Sequence, residues 1–402
     1  MKKPPLFVLL AAIISCLTTT TPLQADPPTE PILRIEAGMH AAAISRIAID
    51  AENRYLVTAS RDKTARVWEL ATGKLIRTLR PPIGGGDQGN LQAIAISPDG
   101  TTIACGGFTG YEWEKSFVIY LFDFQSGLLK SRITGLPSPI FYLIYSKDGK
   151  YLAATLGGKS GIRLFRTSDY SLVAEDKDYG GSSFGADFDT SGRLVTTSYD
   201  GYTRLYEIRM ESLSPLKILA KRKLHRTRQP HRVAFSPDGS KIAVGFIDST
   251  EVNVLSGKDL SHLFSPNTTG VKDGNLKCVT WSTDGRFLYA GKGDPGPFII
   301  RKWSDAGKGG YKDLIASAYG INQILPLKDG GIAFASVGAE FGVFGSDDKR
   351  QIYQSSPNAD FRRNFKGFLI SKDGTTLRFS YEFRGKSPAE FSIANRLLQP
   401  KT

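Results

Sequence analysis

The chain has 402 residues, 41% hydrophobic and 23% charged, with a formal net charge of +13. That is an ordinary globular balance. Its 42 glycines and 21 prolines, scattered along the sequence, suit a protein full of turns, and three cysteines exclude a disulfide-rich scaffold.

The N-terminus reads as a targeting segment. Lys2 and Lys3 precede an apolar run from Leu6 to Leu17, too short to span a bilayer and followed by threonines. Leu23-Gln24-Ala25 is a serviceable cleavage site, which makes residues 1–25 a signal peptide and residues 26–31 a short linker. A second reading takes Ile13-Ile14-Ser15-Cys16 as a loose lipobox, leaving a lipid anchor on Cys16. Soluble export, as a bacterial periplasmic or secreted protein, is the preferred expectation. The mature chain then carries 50 basic and 39 acidic residues, an excess that suits anionic surfaces such as a polymer or lipid headgroups. Only Cys105 and Cys278 remain, too few for a disulfide framework.

From residue 32 onward the chain repeats itself. Short turns recur as DAEN at 50–53, SPDG at 97–100, SKDG at 146–149, DTSG at 189–192, SPDG at 236–239, STDG at 282–285, LKDG at 327–330 and SKDG at 371–374. Their last residues are spaced 47, 49, 43, 47, 46, 45 and 44 apart, a period that fits a four-stranded unit. In each unit an apolar strand enters the turn and a second leaves it. A third strand ends in an aromatic, as in ARVWEL, IYLFDF, IRLFRT, TRLYEI and IIRKWS. Unit five is read with Val254 at the aromatic place, and unit seven as short.

Residues 55–70, YLVTASRDKTARVWEL, are the sharpest copy, and there the chain resembles the WD-repeat β-propeller family. His40, Thr58, Asp62 and Trp68 match the family's motif in unit one; Thr196, Asp200 and Tyr206 match it in unit four, without the histidine. The resemblance implies that these side chains bond within a blade and are structural. It extends over 32–398 as one all-β propeller of four-stranded antiparallel blades, eight favoured and seven the alternative. No strand-length partner is evident after the third strand of unit eight, AEFSIA. Residues 32–37 are therefore expected to complete the last blade and close the ring.

In such a fold the turns between first and second strands share one face. The long loops share the other: 80–90, 108–116, 221–231, 265–275 and 291–297. Two features of that face are candidate contacts, the hairpin tip Tyr111-Glu112-Trp113 and the basic cluster Lys221, Arg222, Lys223, Arg226 and Arg228. Catalytic look-alikes fail on context. The GxSxG match at 181–185 opens a strand, the calcium-loop imitation from Asp187 has Ser198 at its twelfth position, and Gly84–Gly86 lack a following Lys-Ser/Thr. The four histidines have no metal-ligand spacing.

The expected function is a non-catalytic scaffold that binds a protein, or an anionic polymer or lipid surface, through its long-loop face. No cofactor, metal or specific nucleic-acid binding is expected. The alternative is a propeller hydrolase or lactonase with a metal at the channel mouth, using Asp187, Asn275 and Asn322 near the starts of inner strands.

Overall fold

A computed structural model describes residues 38–111, 114–209, 215–225, 227–293, 296–355, 369–379, 389–392 and 397–400. Each repeat folds into an antiparallel sheet of four consecutive strands. The first, innermost strands of the first seven are Ile44–Ile49, Leu91–Ile96, Ile140–Tyr145, Ser183–Phe188, Pro230–Phe235, Cys278–Trp281 and Ile321–Pro326. Each touches the next in sequence order, and the seventh touches the first.

The ring therefore has seven blades, not eight. Seven apolar clusters fill the seven junctions between neighbouring blades. At the last junction Leu327, Ala333, Phe341 and Val343 of blade seven pack on Met39, Ile44, Leu56 and Trp68 of blade one. The Trp68 and Phe341 rings lie 4.8 Å apart. Polar groups cross the same junction, where Asn322 Nδ2 donates to the Ile44 carbonyl at 2.7 Å and the Ile47 amide donates to Gln323 Oε1 at 3.0 Å. The eighth repeat forms its own sheet, Leu369–Ile370, Thr376–Phe379, Ala389–Ser392 and Leu397–Pro400, outside this cycle. Its fourth strand is Leu397–Pro400, so it needs no N-terminal strand to complete it. Residues 32–37 lie outside the described residues, as do residues 1–25 with Cys16.

Burial grades outward through each blade. Second strands are almost wholly buried and inner strands largely so, whereas outer strands such as Leu129–Leu136 and Leu216–Lys223 are mostly exposed. The turns work as their spacing implied. Gly100, Gly149, Gly239, Gly285 and Gly374 end them at φ between +67° and +74°, and Asn53 takes that left-handed position in unit one at +57°. The serine hydroxyl that opens the turn donates to the aspartate two residues on, as at Ser146–Asp148 (2.6 Å) and Ser282–Asp284 (2.6 Å). These bonds hold the Asp238, Asp284 and Asp373 carboxyls down at about 2.

Two unit assignments change. Leu255 pairs with Ile242 as Trp68 pairs with Leu56, so Leu255, not Val254, fills the aromatic place of blade five. Blade seven is complete, with Phe344 at that place opposite Ile332.

Candidate binding face and axial channel

The blade motif forms a buried lock in blade one. Trp68 Nε1 donates to Thr58 Oγ1 at 2.9 Å, and that hydroxyl lies 2.6 Å from His40 Nε2. His40 Nδ1 donates to Asp62 Oδ2 at 2.8 Å, and the Ala41 amide adds a 3.0 Å bond to the same oxygen. Burial alone would raise the Asp62 carboxyl; the charge and hydrogen bond of His40, with the Thr64 hydroxyl, hold it well below its ordinary value instead. Blade four builds the same lock without a histidine. Tyr179 stands there, its hydroxyl 2.6 Å from Thr196 Oγ1 and 2.9 Å from Tyr206 OH, while Tyr206 donates to Asp176 Oδ2 at 2.7 Å. Asp200 accepts from the Gly180 amide at 3.0 Å, as Asp62 does from Ala41, and pairs with Arg204 at 2.6 Å. Tyr179 could have been found by its place four residues before its inner strand, which is where His40 stands.

The hairpin 108–116 joins the second and third strands of blade two. Tyr111 is half-buried, and its amide donates to Glu114 Oε2 at 3.1 Å; Glu114 in turn pairs with Arg132 of the outer strand at 2.7 Å. Glu112 and Trp113 lie outside the described residues. The basic cluster is not a loop over its first half, since Lys221, Arg222 and Lys223 end the outer strand Leu216–Lys223 of blade four. Lys221 pairs with Asp178, and Lys221 and Lys223 flank the Tyr202 ring at 4.9 and 5.7 Å. Charges along an exposed edge strand keep it from pairing with another chain. Arg228 pairs with Glu251, and Arg226 lies outside the described residues. Among the described residues, Tyr111 belongs to a connection of blade two and Lys221–Lys223 to the outer strand of blade four.

A different site emerges from the inner strands. In blades one, two, three, four, five and seven the inner strand carries a β-bulge just after its first residue. A bulge turns an extra side chain out of the ladder. The residues at that place are Ser45, Gln92, Phe141, Phe184, His231 and Asn322. Across blades three to five they form an aromatic arc. The Phe141 and Phe184 rings stack at 4.4 Å, Phe184 lies 5.1 Å from His231 and 4.5 Å from Tyr199, and Phe108 flanks Phe141 at 6.2 Å. Phe108, Phe141, Phe184 and Tyr199 are only half-buried, on the long-loop face. Tyr199 OH lies 2.9 Å from His231 Nδ1. Burial, followed by the charges of Arg232, Lys277 and Arg46, keeps His231 well below the usual imidazole range.

The residues one position further along turn inward. Arg46 and Arg232 flank the Tyr142 ring, with guanidinium carbons 5.9 and 4.4 Å from its centre. Burial depresses both guanidinium groups, and for Arg46 the Arg232 charge adds to it. Below this layer a cavity of about 350 Å³ runs along blades three to seven to the short-turn face, past Asp187, Cys278 and Gln323. Asp187 is the fifth residue of its strand, far from the start at which the sequence reading set it. Its carboxylate accepts from the Phe235 amide at 2.8 Å, and burial raises it. Asn322 bridges Ile44 and Lys277. Asn275 neighbours Gly293 in the connections of blade six. Among the described residues there is no group of three or more His, Cys, Asp or Glu able to hold a metal ion. Cys105 and Cys278 are buried free thiols in blades two and six; burial pushes both up.

Residues 36–69 match the family described as WD domain, G-beta repeat. Among curated proteins the chain is 24% identical over 211 residues to "Pre-mRNA-processing factor 19" of Oryza sativa, covering 52% of this chain and 38% of that protein. It is 23% identical over 188 residues to "Eukaryotic translation initiation factor 3 subunit I" of Candida albicans, covering 42% and 49%. It is 26% identical over 172 residues to "WD repeat-containing protein SL1-17" of Schistosoma mansoni, covering 42% and 52%. All three relatives are eukaryotic, and the chain spans about half or less of their lengths. One WD repeat is thus matched in the first blade, and the four-stranded blades close into a β-propeller.

Proposed function

We propose that this propeller is a non-catalytic scaffold, and that its partner docks at the long-loop mouth of the channel. One observation carries the reading: the half-buried arc in which Phe141 and Phe184 of the inner strands meet Phe108 and Tyr199 from the ends of second strands. Stacked aromatics supply contact area at little cost in conformational entropy, and anchors of this kind dominate binding energy. The names of the two relatives that are factors of RNA processing and translation fit a role in assemblies. The partner is a protein, with an anionic polymer as the second choice given the net charge.

The leader supports action outside the cytoplasm of a bacterium, after cleavage behind Ala25. Intact-mass analysis of the exported protein tests this: a chain starting at Asp26 supports it, and one starting at a lipidated Cys16 points to the anchored alternative. For the docking face, tagged wild type and a Phe141→Ala/Phe184→Ala variant are used for affinity capture from cell-envelope extract, with bound proteins identified by mass spectrometry. A partner retained by wild type and lost by the folded variant supports the face. A partner held equally by both places docking elsewhere.

A further inference from the structure

We propose that the axial channel holds a second, independent binding site, for a small oxyanion seated against Arg232 and Arg46. Both residues lie on inner strands one position past the bulge, in blades five and one, and are 4% and 6% exposed. So complete a burial of a guanidinium demands acceptors, and here they are incomplete. Arg232 Nη1 donates to the Phe184 carbonyl at 2.7 Å and the guanidinium has the Cys278 sulfur, a weak acceptor, beside it, but Nε and Nη2 have no oxygen or nitrogen acceptor among the described residues. Arg46 Nη1 reaches its neighbour's carbonyl, on Ser45, at 2.5 Å, and its Nε is likewise unsatisfied.

The groups that bear on the pair are Tyr142, Tyr199, Cys278 and each other. None of these is a carboxylate. Asp187, the acid in the adjoining cavity, is engaged by the Phe235 amide and feels Lys147 and Asp189 rather than either arginine. Two buried like charges without a counter-ion are costly, because desolvation is uncompensated and the pair repels. A planar fork with an unused Nε and Nη2 is the geometry that takes two oxygens of a phosphate or carboxylate side by side.

Arg232 lines the 350 Å³ cavity that leads to the short-turn face, where Lys147, Thr190 and Pro237 edge it. That volume admits a small anion and not a folded partner. Because entry is from the opposite face, this site stands or falls separately from the docking arc.

The test titrates inorganic phosphate at constant ionic strength and reads the thermal midpoint, with sulfate as a second probe. Wild type is expected to show a saturable rise, with apparent affinity falling at least tenfold in Arg232→Met and in Arg46→Met. Lys349→Gln, an exposed lysine of blade seven, is the surface control and is expected to behave as wild type. An unchanged wild-type midpoint, or equal rises in wild type and both methionine variants, overturns the proposal. A crystal grown with selenate decides the matter without relying on the variants' folding. Anomalous density within hydrogen-bond distance of Arg232 supports the site, and its absence there overturns it.

Discussion

At the scale of single residues, the blade locks show how buried polar groups can serve order rather than chemistry. Thr58 serves two buried partners at once, His40 Nε2 and Trp68 Nε1. Thr58→Val keeps the shape and strands both, so denaturant unfolding is expected to show a loss of about 2–4 kcal/mol, with Thr58→Ser close to wild type. Blade four is expected to respond in kind, Tyr179→Phe leaving Thr196 and Tyr206 a partner short and costing about 1–2 kcal/mol. His231 gives a pH signature. Its folded pKa is depressed, so below about 6.5 the unfolded chain takes up a proton that the folded chain refuses, and stability falls as pH drops. The decline sets in between pH 7 and pH 5. Equilibrium unfolding at a series of pH values checks it: His231→Gln is expected to flatten the decline over this window.

At the scale of elements, the turns were legible because their backbone demands them. A left-handed residue must end each one, so glycine or asparagine recurs at a fixed period whatever happens to the strands. Gly239→Ala faces φ +67° and would set a Cβ 2.9 Å from Asp189 Oδ2, whereas the Cβ of Gly100→Ala meets open space at φ +71°. Denaturation midpoints are expected to rank them, with Gly239→Ala losing about 2 kcal/mol and Gly100→Ala about 1. The third strand of blade five was misread because leucine replaced the aromatic that marks the register. The bulge layer was missed for a related reason: it pairs unlike residues from one repeat to the next. One signal was nevertheless there, since Ser45, Gln92, Phe141, Phe184, His231, Lys277 and Asn322 each stand eight residues before the end of their turn. Aligning the units on the turn, rather than on the aromatic, would have gathered the mouth of the channel.

At the scale of the molecule, counting repeats overstated the ring. Eight turns of equal period give eight sheets, but closure depends on which inner strands meet, and blade seven presents Leu327, Ala333 and Phe341 to blade one. A period carries no information about that contact. Of the residues drawn from charge clusters, Lys221 and Arg228 are paired with Asp178 and Glu251, whereas Phe141 and Phe184 stand at the starts of inner strands. A partner is expected to bind at the channel axis, on the long-loop side. Site-specific photocrosslinking tests it most directly, with a photoreactive residue placed at Phe184 and, for comparison, at Asp148 on the short-turn face. The predicted result is one defined adduct from position 184 and none from position 148; an adduct from 148 alone would contradict it.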